Sequence, residues 1–461
     1  MASGLSRRSI RQQLPLYITE DNSRPITLSP QPFAPRQRGG GWGTFAHSFL
    51  RFNEEAFRAL DVKAEAVFDS SGFTIQIQAG GRTGAIPLCS GQTNHVVGGL
   101  IVKPRFGWSG VGQVLAETGW PALPEFHELP MVPGSGREIP PWVLAGPVLA
   151  RLEALLSQMY RGYNEHEEML SRPRGRILWQ RYISQSLTRG YWERLPCRFP
   201  DLGYDPLLRG YIRWALERLY ADLTRVGQRD VIASSLAELA RRLLAILTQV
   251  APLRPSSSHL KRWIHTSLIN DTVFRGLEAL AWVEEERGLG GGRELDGIAW
   301  SLSLSDLWEA YVEGVIRREA ASKGGEVRVA RLGETTIPLA WSDPVRRSLT
   351  HLAPDIIVRR GRSIHIIDAK YKAHLAELDQ VGWRRFTEEA REAHRADLHQ
   401  VLAYSAIYEA EEITATLVYP LQHDTWNALA AQRRDRIKSE LVHGGRRVLL
   451  ELRGLPFGVK R

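Results

Sequence analysis

The hydrophobic period changes along this chain, and each change limits what the flanking residues can become. Between about 60 and 145 apolar and polar residues alternate. KAEAVFD and FTIQIQA are followed by GAIPL and GGLIVKPRF, with Gly and Pro between the runs. That pattern predicts a small antiparallel sheet or barrel. From Pro147 the spacing turns helical in VLARLEALLSQMY. It stays so through DPLLRGYIRWALERLYADLTRV, VIASSLAELARRLLAILTQV and TVFRGLEALAWVEEE. Arg287-Gly288-Leu289-Gly290-Gly291-Gly292 stops the last of these and predicts a flexible joint. One more helix is expected over about 305–322, with Ser305 or Asp306 as its N-cap. Then come EVRVARL, PDIIVRR, SIHIIDAKYK, ITATLVYPL and RVLLELR, short and β-branched, with a helix at about 395–409 between the third and fourth. Helix, three strands, helix and further strands is an α/β order with a sheet apolar on both faces.

A chain of 461 residues with these regimes reads as multidomain, α+β and α/β. The expected parts are an arm over 1–45, a β-rich domain over 46–146, a helical middle over 147–292 and an α/β domain with a mixed sheet over 293–461. The arm carries LPLYI and PITL as its only strand candidates and ends in Arg38-Gly39-Gly40-Gly41. Lys and Arg number 60 against 51 Asp and Glu, a net charge of +9, and only eight of the basic residues are Lys. An Arg-dominated surplus suits a phosphate-bearing partner, because the planar guanidinium grips phosphate oxygens in pairs. A codon bias toward Arg would produce the same surplus. Two cysteines, Cys89 and Cys197, exclude a disulfide framework and a Cys-rich zinc site. No apolar run of about 18 residues occurs, and the first residues have no signal-peptide core. The expectation is a cytoplasmic protein with no membrane contact.

The chemistry concentrates in the last third. Asp355, after Pro354, introduces an apolar strand, and Asp368-Ala369-Lys370 closes the next one. If Arg359-Arg360-Gly361-Arg362 is the turn between them, both carboxylates finish at one end of the sheet on neighbouring strands. Opposed strand residues lie about 5 Å apart, within reach of one divalent metal. Asp368 and Lys370 share a face by alternation. Two carboxylates and an ammonium at a strand end suit metal-assisted phosphodiester hydrolysis, with Asp355 and Asp368 as Mg²⁺ ligands. Lys370 would orient water or offset charge on phosphorus. A bare Pro-Asp and Asp-x-Lys pair is also a plain turn and a solvated strand end. The apolar strands behind both carboxylates favour the catalytic reading. Gln400 and Tyr404, i and i+4 on a helix, are accessory candidates, as is Glu309 in the helix before the sheet. Lys372, Arg360 and Arg362 are candidate DNA contacts. The 13 His include no HExxH, and His365 and His399 read as structural or solvent-facing. AAQRRDRIKSE reads as a solvated helix face. Neither a Walker P-loop nor a Gly-x-Ser-x-Gly occurs.

With these residues in place, the chain resembles the PD-(D/E)xK nuclease superfamily. The run APDIIV…IHIIDAKYK…DLHQVLAYSAIY…LVYP is similar to the McrC family, the nuclease subunits of McrBC-type modification-dependent restriction systems. LWEAYVEGVI, RPRGRILW, LPCRFPDLGYDPLLRGYIRWAL and GGLIVKPRFGW extend the likeness upstream, although the Pro-rich CRFPDLGYDP stands where that family has a more acidic stretch. The resemblance implies a PD-(D/E)xK nuclease domain at 293–461, with Asp355 and Asp368 as metal ligands, Lys370 as catalytic lysine, and Gln400 and Tyr404 as accessory residues. It also implies an endonuclease using Mg²⁺ or Mn²⁺ on double-stranded, modified DNA. Its partner would be a hexameric McrB-like AAA+ GTPase engaged through the N-terminal domain. A non-catalytic activator of such a motor, or a nuclease of a transposition or repair system, are the alternatives.

Overall fold

The alternating segments pair as strands and the 3.6-period segments form helices, but the chain order of the parts is not their spatial grouping. A computed structural model of the protein describes residues 14–29, 33, 42–69, 72–118, 124–134, 140–159, 162–203, 205–227, 230–265, 271–284, 297–342, 348–373, 375, 382–443 and 446–457. The expected joint at 287–292, and the Gly-rich end of the arm at 38–41, lie outside the described residues. Contacts divide the chain into Met1–Glu138 with Glu294–Arg461 as one unit, and Ile139–Arg293 as another.

In the first unit, β1 (Leu16–Glu20), β2 (Arg82–Cys89), β3 (Val96–Lys103), β4 (Glu125–Phe126) and β5 (Trp300–Ser303) form a five-stranded sheet in the order β1-β3-β2-β5-β4. β5 comes from the far side of the helical middle and pairs antiparallel with β2, Trp300 opposite Ala85. Hence the chain returning after residue 293 begins by completing the amino-terminal sheet. Beside this sheet, Ile26–Leu28, Val62–Asp69 and Gly72–Ala79 form a three-stranded sheet. Its inward Ile75 and Ile77 pack with Phe33, Phe45, Phe49 and Phe57. Ile75, Ile77 and Ala79 are thus buried while Gln76 and Gln78 are exposed, as the alternation requires.

The same unit holds α1 (Leu304–Lys323), β6 (Glu326–Val329), β7 (Ile356–Arg360), β8 (Ser363–Ala369), α2 (Glu388–Ile407), β9 (Glu412–Leu421), β10 (Arg436–His443) and β11 (Arg446–Pro456). The strands form a mixed sheet in the order β6-β7-β8-β9-β11-β10, with β8, β9 and β11 parallel. Ile364, Ile366, Ala415 and Leu417 meet Val401 and Tyr404 of α2 on one face. On the other, Arg453 of β11 pairs with Glu319 of α1. Three local expectations differ from this outcome. The cap of α1 is Ser303, whose side chain accepts the Asp306 N–H at 3.1 Å, two residues before the expected Ser305. α2 starts at Glu388, because the Thr387 side chain caps it by accepting the Ala390 N–H. AAQRRDRIKSE is no helix face: the helix His423–Ala431 stops, the chain turns through Arg433 at φ 57°, and β10 follows. The charges there mark a sheet edge, where they discourage pairing with another chain.

The second unit contains the helices Pro141–Ser157, Pro206–Gly227, Val231–Ile246, Ser257–Ile264 and Asp271–Glu284, and a three-stranded antiparallel sheet of Gly162–Leu170, Leu195–Gly203 and Arg176–Ile177. Asp230 caps the third helix through the N–H groups of Ile232 and Ala233, and its other oxygen accepts the Trp142 indole N–H at 2.7 Å. Cys89 and Cys197 are buried and unpaired. Among the described residues no helix is long and apolar enough to cross a membrane.

The β2–β5 seam can be tested at Gly84. Its φ is +154°, and a Cβ there would overlap the Trp300 carbonyl oxygen, a backbone atom that cannot step aside. Gly84→Ala is expected to cost about 2–5 kcal/mol from strain and overpacking together. Chemical denaturation of the purified protein measures this, and an unchanged midpoint would contradict the seam.

Candidate active site

The site grows out of a hairpin. β7 and β8 pair antiparallel from Ile356 opposite Ile367 to Arg360 opposite Ser363, and Gly361 at φ 56° supplies the turn. Asp355 and Asp368, one residue beyond the first pair, therefore face each other at the open end of the hairpin. Asp355 is half-buried, and its Oδ2 accepts the Ala369 N–H at 2.7 Å. Asp368 is only 1% exposed. The Lys370 N–H donates to the Val418 carbonyl at 2.8 Å, which ties the end of β8 to β9. The Lys370 ammonium lies 2.6 Å from Asp368 Oδ2 and donates to Gln400 Oε1 at 2.9 Å. Gln400 Nε2 in turn donates to the Tyr404 hydroxyl at 2.9 Å. Asp368, Lys370, Gln400 and Tyr404 thus form one line from strand to helix.

Glu309 approaches from the first turns of α1. It lines a cleft of about 530 Å³ together with Asp355, Asp306, Arg331 and His351. The three carboxylates share one electrostatic signature. Burial pushes Asp355 well up, and the neighbouring Asp368 and Glu309 add to it, against the Ala369 N–H. Burial also raises Asp368, with Lys370 opposing. Glu309 is pushed up to about 7, by the desolvation of the cleft first and then by Asp306 and Asp368. Burial by itself would lower Lys370, but Asp368, Asp355 and Asp397 outweigh it and hold the ammonium charged.

One ammonium, Lys370, touches this set of raised carboxylates, so acid outnumbers base at the strand end. Asp368 Oδ2 is buried and, although close to the ammonium, lacks a well-aligned hydrogen bond. Among the described residues no group of three or more His, Cys, Asp or Glu forms a ready-made metal cage. The donors at the strand end are two opposed carboxylates, all oxygen. That set fits Mg²⁺, which keeps several waters and takes one or two protein carboxylates, better than zinc, which favours nitrogen and sulfur.

The candidate DNA contacts are placed elsewhere. Arg360 and Arg362 flank the hairpin turn, at the end of the strands opposite Asp355 and Asp368, and Arg362 is paired with Glu411. The antiparallel register that joins the carboxylates separates these arginines from them by the length of a five-residue strand. Lys372 is occupied by both oxygens of Asp397, each at 2.8 Å. His365 is held low, to about 4, chiefly by burial, and its Nε2 lies 2.7 Å from Thr416 Oγ1. His399 is exposed. Asp397, buried and three residues before Gln400, escaped the sequence reading, although a carboxylate on the apolar side of that helix was a visible signal.

The family model for the McrBC 5-methylcytosine restriction system component matches residues 142–420. The chain belongs to this family. The match to the McrBC component spans Glu309, Asp355, Asp368, Lys370, Gln400 and Tyr404. Among solved structures, the chain is similar to one in the refined half-complex from the tetradecameric assembly of Thermococcus gammatolerans McrB AAA+ hexamers with bound McrC. Identity there is 15%, over 96% of this chain and 95% of that chain, with a TM-score of 0.40. It is also similar to a chain of the Thermococcus gammatolerans McrBC complex, at 14% identity over 68% and 90%, with a TM-score of 0.27. No match is found among the curated proteins.

A raised carboxylate in the folded state favours folding below its unfolded pKa and loses that advantage as pH rises through the folded value. For Glu309 the window runs from about 4.5 to about 7. In a chelator, thermal stability should fall across that window. Glu309→Gln should flatten the fall by about 1 kcal/mol or less, since Glu309 keeps solvent access. Parallel pH profiles of melting for the two proteins would refute this assignment.

Proposed function

We propose that this chain is the nuclease-bearing, McrC-like member of a McrBC-type restriction system, and that Asp355, Asp368 and Lys370 are the centre of a PD-(D/E)xK fold that hydrolyses phosphodiesters of duplex DNA. The carrying observation is the opposition of Asp355 and Asp368 at a strand end with the Lys370 ammonium on the same face, 2.6 Å from Asp368. Membership of the McrBC family and the likeness of the DAK and Gln-x-x-x-Tyr segments support the same reading. The partner consistent with that family is an McrB-like AAA+ GTPase hexamer that recognises the modified base and moves the DNA, which this chain, lacking a P-loop, does not do itself.

Asp355 and Asp368 would hold Mg²⁺, and Glu309 lines the same cleft as Asp355. A bound Mg²⁺ polarises the scissile phosphate and lowers the pKa of a coordinated water. Lys370 remains an ammonium at neutral pH, so its part is to offset negative charge developing on the phosphate oxygens, not to remove a proton. Gln400 fixes that ammonium, and Tyr404 fixes Gln400.

The test is cleavage of 5-methylcytosine-containing DNA by the chain with its cognate GTPase, GTP and Mg²⁺. Asp368→Ala should abolish cutting while stimulation of the partner's GTP hydrolysis persists. Lys370→Met should slow cutting about 10²–10³-fold with Mg²⁺ binding largely kept. Undiminished cutting by Asp368→Ala would remove the site.

A further inference from the structure

The chain turns directly after the proposed catalytic lysine. The Lys372 N–H donates to the Lys370 carbonyl at 2.9 Å, which closes a three-residue turn centred on Tyr371. Lys370 and Lys372 reach α2, at Gln400 and Asp397. Tyr371 does not: its ring is 5% exposed and lies against the amino-terminal sheet. The Arg105 guanidinium stacks over it, Cζ 4.6 Å from the ring centroid. Phe106 and Phe457 stand edge-on to it, each with its centroid 6.0 Å away.

Arg105 follows β3 by two residues, and Asp21 follows β1 directly. Asp21 is wholly buried, accepts the Arg105 N–H at 2.6 Å, and lies 3.5 Å from Arg105 Nε. The Asp21 N–H continues the β1–β3 ladder by donating to the Lys103 carbonyl at 3.0 Å. Two adjacent strands of the first sheet therefore converge on the residue beside Lys370. As a source of stability this arrangement is poor. Arg105 Nε and Nη2 are buried without a well-aligned acceptor, and a buried ion pair commonly adds little that an apolar pair would not. What it does supply is a fixed position for the Tyr371 ring.

We infer that Asp21, Arg105 and Tyr371 position the Lys370 ammonium on Asp368 and Gln400, so that the amino-terminal sheet sets the geometry of the cutting centre. This rests on the nuclease reading above. A lysine ammonium sits on a long flexible stem, and its placement depends on the backbone that carries it. Displacement of a reacting group by about 1 Å can cost on the order of 10²-fold in rate.

The test uses the full chain with its partner. Tyr371→Leu removes the stacked ring but stays apolar. Asp21→Asn with Arg105→Met removes the buried pair without stranding a charge. Both should lower the single-turnover cleavage rate about 10–100-fold at saturating DNA and Mg²⁺, measured well below the melting temperature of each variant, with DNA affinity near that of the parent. Amide exchange over Ile366–Lys372 should quicken while β9 and β11 stay protected, and Tyr371→Phe should restore the rate. A parental rate in Tyr371→Leu, unchanged exchange over Ile366–Lys372, or exchange quickened across the whole unit would each overturn the inference. Exchange needs no cleavage, so a parent protein that fails to cut would sink the nuclease reading and leave this coupling to be judged by exchange alone.

Discussion

Two carboxylates forced together by strand register are the constraint to which the rest of the site responds. Once Ile356 pairs with Ile367, Asp355 and Asp368 must face one another in a largely dry setting, where like charges repel strongly. The nearby features read as answers to that repulsion. The Ala369 N–H points at Asp355 and the Lys370 ammonium at Asp368, α2 brings neutral Gln400 and Tyr404 up to that ammonium, and its one buried acid, Asp397, is matched by Lys372. Even so the carboxylates remain hard to ionise. A structure with no use for such a pair would be better served by apolar residues.

The hairpin was legible in the sequence because its information is local. Period-two alternation, a Gly at the turn and acids at the strand ends all lie within the seventeen residues 354–370. Gln400 and Tyr404 were legible for the same reason, being one helical turn apart. What escaped depends on partners distant in sequence. Nothing near Lys372 announces Asp397, and nothing near Trp300 announces Ala85. The start of α2 was missed because Glu388–Arg395 is mostly charged and shows no apolar stripe, leaving only the Thr387 cap as a signal. Arg360 and Arg362 fall at the turn, where the sequence puts them, and a hairpin carries its turn away from its open end.

The centre is also shared between layers that the sequence separates widely. Val418 shows this at one atom: its carbonyl accepts the Lys370 N–H and the Trp308 indole N–H, at 2.8 and 3.1 Å. Trp308 stacks on Tyr311, and both meet Phe457 edge-on beside Tyr371. Helix α1, strand β9 and the segment after β11 are thereby locked around one short stretch of main chain.

The insertion of β5 between β2 and β4 has a consequence for the protein's birth on the ribosome. The strand that fills the gap is made after some 170 intervening residues, roughly 10–35 s at ordinary elongation rates. Through that interval β2 has an unfilled hydrogen-bonding edge, the kind of surface that invites foreign strands and that chaperones shield.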